Sequence, residues 1–203
     1  MIPRRRNLAR AVRVLGVLFV LTGCAGLLAE QCFEKMLTGL VGASTPAAAI
    51  VLSVYFLGLT LGSLTYGWWL SGRWPPLRAY AMLEGGVAIW ALLLALAAGR
   101  GVEWFVPLLR LGADGFWSLQ ALRFVVACVW ILPPTFLMGA SFPAIVNALE
   151  EMRVPQPRRA MSRFYALNLA GAFLGALLGP YVFFPALGLR GTLLLTCGVD
   201  AAA

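Results

Sequence analysis

Apolar runs of about twenty residues, separated by short arginine-bearing segments, constrain this chain more than any other feature. Five complete runs lie at 12–30, 47–70, 79–99, 122–149 and 164–188, and a sixth begins at 191 and reaches Ala203. A bilayer core of about 30 Å takes about 20 residues of helix to cross. Inside it the backbone must satisfy its own hydrogen bonds, which a helix does. Only 12% of the residues are charged and 61% are hydrophobic, whereas soluble domains carry about 25% charged residues. The expectation is an all-α integral membrane protein. One transmembrane domain fills residues 1–203, as a bundle of five complete transmembrane helices plus a truncated sixth. The stretch 191–203 rises only about 20 Å as a helix, so it reads as cut within a span.

Charge placement gives these runs a direction. The net charge is +8. If the N-terminus is cytoplasmic, the inside segments around 4–13, 73–78 and 153–163 carry eleven of the sixteen Lys and Arg residues. Cytoplasmic loops are enriched in this way. The reading is a multi-pass protein of a bacterial-type cytoplasmic (inner) membrane, with the N-terminus in the cytoplasm. The basic, apolar start is a retained signal anchor, because no small-residue cleavage site follows it. Arginines spread over short loops do not make the single basic face of a nucleic-acid binder, so nucleic acid is excluded as a partner. The partner expected is the lipid bilayer. The outer segment 99–123 carries Trp104, Phe105, Phe116 and Trp117, which suit the headgroup level as an interfacial half-helix.

No histidine occurs, and Cys24, Cys32, Cys128 and Cys197 form no C-x-x-C pair. Neither a zinc site nor a disulfide framework is expected, and no cofactor is expected for these residues.

Glycine and proline punctuate the runs. Gly58 and Gly62 form one small-xxx-small face, and Gly171, Gly175 and Gly179 form a longer one. Such faces let helix backbones approach closely. They suit packing inside one bundle, for example the second span against the fifth, or a dimer seam. Pro133, Pro134 and Pro143 lie within the fourth run. Each removes a helix donor and favours a kink.

Ionisable residues inside spans are the functional pointers, because their burial in lipid is costly. Glu84 lies about one and a half turns into the third run. Glu30 and Glu34 are four apart and share a helix face, with Lys35 next to them. Glu30 and Glu84 are the leading candidates to meet a cation, with Glu34 behind them. Asn147 and Asn168 suit interhelical hydrogen bonding.

Four stretches, in order, resemble the membrane domain of the membrane-bound spermidine synthase-like proteins, also described as fused major-facilitator/spermidine synthases. They are "GCAGLLAEQCFEKMLTGLVGAS", "YFLGLTLGSLTYGWWLSGR", "PLRAYAMLEGGVAIWALL", and "LPPTFLMGASFPAIVNAL" followed by "RFYALNLAGAFLGALLGPYVFFPALGLRGTLLL". Together the match covers roughly residues 12–200. Ala29 and Phe33 stand where that family commonly has tyrosine and tryptophan, and "GWWLSGR" lacks the acid of the facilitator loop motif. The resemblance implies half of a major-facilitator fold, with a cytoplasmic synthase domain beyond a completed sixth span. It also implies a membrane module that anchors that domain and moves a polyamine or related cation. Two other functions stay open: a half-transporter acting as a homodimer, and a structural or accessory subunit of a larger membrane complex. The chain holds no G-x-G-x-x-G turn and no acidic cluster in a soluble segment, which a nucleoside-binding synthase domain needs. The catalytic synthase domain is therefore expected to be absent, and this chain is expected not to be an enzyme.

Overall fold

The computed structural model describes residues 2–41, 45–97, 107 and 115–202, and among these every regular element is helical. Helix α1 is Ile2–Val41 and α2 is Thr45–Thr65, extended by a π-helical turn Tyr66–Leu70. Helix α3 is Pro76–Ala97 and α4 is Phe116–Glu151. Helix α5 is Pro157–Leu178, followed by a second π-helical turn Gly179–Phe183 and by α6, Phe184–Ala202. Among the described residues, five helical stretches are long and apolar enough to cross a membrane. The helices outrun the hydropathy segments, most of all α1 and α4. Phe116 and Trp117 thus open α4 itself, while Trp104 and Phe105 lie outside the described residues.

The last stretch, Arg159–Ala202, holds 44 residues. Straight, it would be about 66 Å long, twice a bilayer core. Gly188 breaks it, with φ 64° and ψ −179°, a conformation a Cβ would oppose. The chain doubles back there. Asn168 and Asp200 consequently line the same cavity, although an unbroken helix would hold them about 48 Å apart. The reversal sits within "PALGLR", inside α6, so the returning arm starts just past Gly188, close to the expected start of the sixth run at 191.

Two parallel pairs form the frame, α1 with α5 and α2 with α4, and glycine sets both. A Cβ on Gly171 would run into the Val20 carbonyl, one on Gly175 into the Cys24 carbonyl, and one on Gly23 into the Asn168 carbonyl. In the other pair, a Cβ on Gly58 would meet the Thr135 hydroxyl, one on Gly62 the Phe136 carbonyl, and one on Gly139 the backbone of Leu59. The second span therefore packs on the fourth and not on the fifth. Neighbours in sequence alternate in direction, so first with fifth and second with fourth run side by side in parallel, whereas second with fifth would be antiparallel.

Helix α3 packs on α4 and α6, and α6 packs on α1. Exchanging the first three helices with the last three maps each of these pairings onto another. The bundle thus consists of two three-helix units that run in opposite directions and pack in the same pairwise pattern, with α3 and α6 against each other between them.

Helix α4 stays continuous through its three prolines. Pro134 has no N–H for the carbonyl of Trp130, four residues back. The Trp90 indole donates to that carbonyl at 3.1 Å. Pro180 abandons the Ala176 carbonyl in the same way, and Gln31 Nε2 donates to it at 3.2 Å. At its far end α4 closes in a Schellman turn: Val154 N–H reaches the Leu149 carbonyl at 3.3 Å and Arg153 N–H the Glu150 carbonyl at 2.9 Å. Arg153 takes the left-handed position, φ 51°, where glycine is usual. Asn147 Nδ2 donates to Ser71 Oγ at 3.1 Å, tying α4 to the segment after α2.

Apolar side chains gather in two clusters. One, around Phe33, Val54, Leu94 and Trp130, fills the bundle near the C-terminal end of α1. The other, around Phe19, Tyr80, Ile145 and Phe164, fills the opposite end. Large apolar side chains such as Val17, Phe56, Ile89 and Phe173 are exposed on the outer faces. Trp68 and Trp69 close one end of the bundle, and Trp117 the other, all largely exposed.

A candidate cation site between α3 and α6

Between the two apolar clusters lies a cavity of about 300 Å³. Every helix contributes to its wall: Thr22 from α1, Tyr55 from α2, Glu84 from α3, Ser141 from α4, Asn168 from α5 and Asp200 from α6. Gly23, Gly26 and Gly139 also line it. Two carboxyl groups reach this space, and no lysine or arginine is among the described residues that line it.

Glu84 is 5% exposed and Asp200 3% exposed. The Glu84 carboxyl is within hydrogen-bonding reach of Ser141. The Tyr80 hydroxyl, one turn back on α3, lies beside Glu84 and Thr22 without completing a bond of good geometry. Asp200 faces Glu84 closely enough for their charges to interact. Its Oδ2 is buried and makes no hydrogen bond among the described residues. A buried carboxylate without a partner is costly. Two that share one cavity repel each other, unless a proton or a cation sits between them.

The three acids proposed from sequence do not converge. Glu84 lines the cavity. Glu30 is half-buried on α1, with its carboxyl in reach of the Tyr55 hydroxyl and close to Glu34. Glu34 is exposed, in an open cleft of about 580 Å³ with Gln31, Lys35 and Phe184. Lys35 caps the Phe184 ring, its Nζ 4.6 Å from the centroid. Sequence reasoning missed Asp200, Tyr55, Tyr80 and Ser141. Asp200 had a legible signal, an acid within the apolar run "LLLTCGVDAAA". Its meeting with Glu84 depends on the reversal at Gly188, which the break between the fifth and sixth apolar runs marks without showing which helix the returning arm meets.

The chain is similar to two polyamine aminopropyltransferases. Both are curated proteins of Streptomyces coelicolor. Polyamine aminopropyltransferase 2 is 30% identical over 98% of this chain and 34% of its own length. Polyamine aminopropyltransferase 1 is 27% identical over 95% of this chain and 33% of its own length. The chain spans about a third of the length of these relatives. No protein-family model matches it, and no solved structure does.

These matches correct the expectation that the chain stands outside enzymes. Relatives named as enzymes align with nearly all of it. The expectation rested on missing local motifs, a glycine-rich turn and a soluble acidic cluster. Such a test does not register a relationship carried by whole helices.

Proposed function

We propose that this chain is the membrane-spanning part of a polyamine aminopropyltransferase-like enzyme, and that its central cavity receives an amine cation. The observation that carries the reading is the pair of buried carboxyls, Glu84 and Asp200, facing one cavity with no basic residue among the described residues of its lining. An ammonium group placed there satisfies both acids and relieves their repulsion. The similarity to enzymes named for polyamines supports the choice of cation. The apolar outer faces support membrane insertion, with the arginine-rich ends of α1, α3 and α5 in the cytoplasm. The inverted pairing of two three-helix units supports a likeness to half of a major facilitator.

The test is equilibrium binding of labelled spermidine to the full-length protein in nanodiscs. The expected result is saturable binding, weakened at least tenfold by Glu84→Gln and again by Asp200→Asn. Unchanged affinity in both variants, with the fold retained, overturns the reading.

A further inference from the structure

The cavity's α1 wall is a regular stripe: Phe19, Thr22, Gly23, Gly26 and Leu27. These positions follow helical spacing of three and four, and the next residue on that face is Glu30. Glu30 thus stands one turn beyond the cavity on the same line. Tyr55 stands between them. Tyr55 lines the cavity, and its hydroxyl is in reach of the Glu30 carboxyl. Thr22 marks the level of Glu84 through Tyr80, which lies beside both. From Thr22 to Glu30 the axial rise is about 12 Å.

Given the amine site proposed above, on which this rests, we infer that Glu30 is a second ammonium subsite and Tyr55 the side chain that closes it off. The ligand class is then a linear polyamine lying along α1. One terminal ammonium sits between Glu84 and Asp200, the methylene chain runs past Gly26 and Leu27, and the other ammonium replaces the Tyr55 hydroxyl at Glu30. A triamine with one propyl and one butyl spacer extends about 11 Å between its ends, from bonds of about 1.5 Å. That matches the rise. A short monoamine fills the first subsite alone. The unpartnered Asp200 Oδ2 fixes where the first ammonium goes, and the α1 stripe fixes the direction of the rest.

A length scan tests this in the full-length protein in nanodiscs. Butylamine and a series of α,ω-diamines of growing spacer compete against labelled spermidine. The expected result is a rise in affinity of about tenfold once the spacer approaches 11 Å, absent in Glu30→Gln, where all ligands bind like butylamine. In Tyr55→Phe, which leaves Glu30 free of its hydroxyl, the rise should persist. Affinities in the wild type that do not depend on spacer length, or a rise that survives Glu30→Gln, overturn the second subsite. Either result leaves the first site standing provided butylamine binding still falls in Glu84→Gln. If butylamine binding is indifferent to Glu84→Gln, the underlying amine site fails instead.

Discussion

The Trp90 indole nitrogen donates to the main-chain carbonyl of Trp130 at 3.1 Å. That carbonyl is the one Pro134 cannot serve. Proline is tolerated within membrane helices when neighbours satisfy the groups it frees. Gln31 does the same for Ala176 opposite Pro180. In both cases a donor on another helix serves the freed carbonyl, so these bonds hold helices together as well as completing a backbone.

Trp90→Phe keeps the packing bulk and removes the donor. The expected loss is about 0.5–2 kcal/mol, the range for an interhelical bond in a membrane protein. Gln31→Leu should cost a similar amount. Unfolding by SDS in mixed micelles measures both. Stability equal to the wild type in both variants would mean that the carbonyls find other partners.

The glycines divide into those at a contact and those in open space. Gly171→Ala drives a Cβ into the Val20 carbonyl and must push α1 from α5. Gly198 has nothing within 4 Å of a Cβ, so Gly198→Ala should gain up to about 1 kcal/mol from helix propensity. Opposite signs in the same unfolding assay are the expected outcome. Equal effects would place the α1–α5 contact elsewhere.

The helices were legible in the sequence because apolar runs of this length have so few ways to satisfy their backbone. Apolar length, glycine spacing and the buried Glu84 could all be read directly. The partners could not. Gly58 and Gly62 announce a close contact without saying with which helix, and the alternation of direction had to be combined with packing to choose α4. The acids were legible singly, but their grouping was not. Glu30 and Glu84 lie on different helices, and Asp200 reaches Glu84 only because the chain turns at Gly188. The break between the fifth and sixth apolar runs, at 188–191, marked that reversal but not the helix against which the returning arm packs.

The arginine pattern predicts an orientation that cysteine labelling can check. Trp74, in the segment before α3, and Trp117, at the start of α4, are exposed at opposite ends of the bundle. With Cys24, Cys32, Cys128 and Cys197 replaced, Trp74→Cys should react with an impermeant maleimide only after the membrane is opened. Trp117→Cys should react in intact cells. The reverse pattern would invert the topology, and labelling of both from outside would remove α2 or α3 from the membrane.

The central claim is that Glu84 and Asp200 face one cavity that holds an amine. A membrane-permeant carbodiimide attacks buried carboxyls, and peptide mass spectrometry locates each adduct. The measurement is total modification at Glu84 and Asp200 in the full-length protein, the carbodiimide adduct and the amide that an activated carboxyl forms with spermidine counted together, with and without saturating spermidine. The account predicts that both residues are modified and that spermidine protects both together. Modification of both that spermidine leaves unchanged would contradict it.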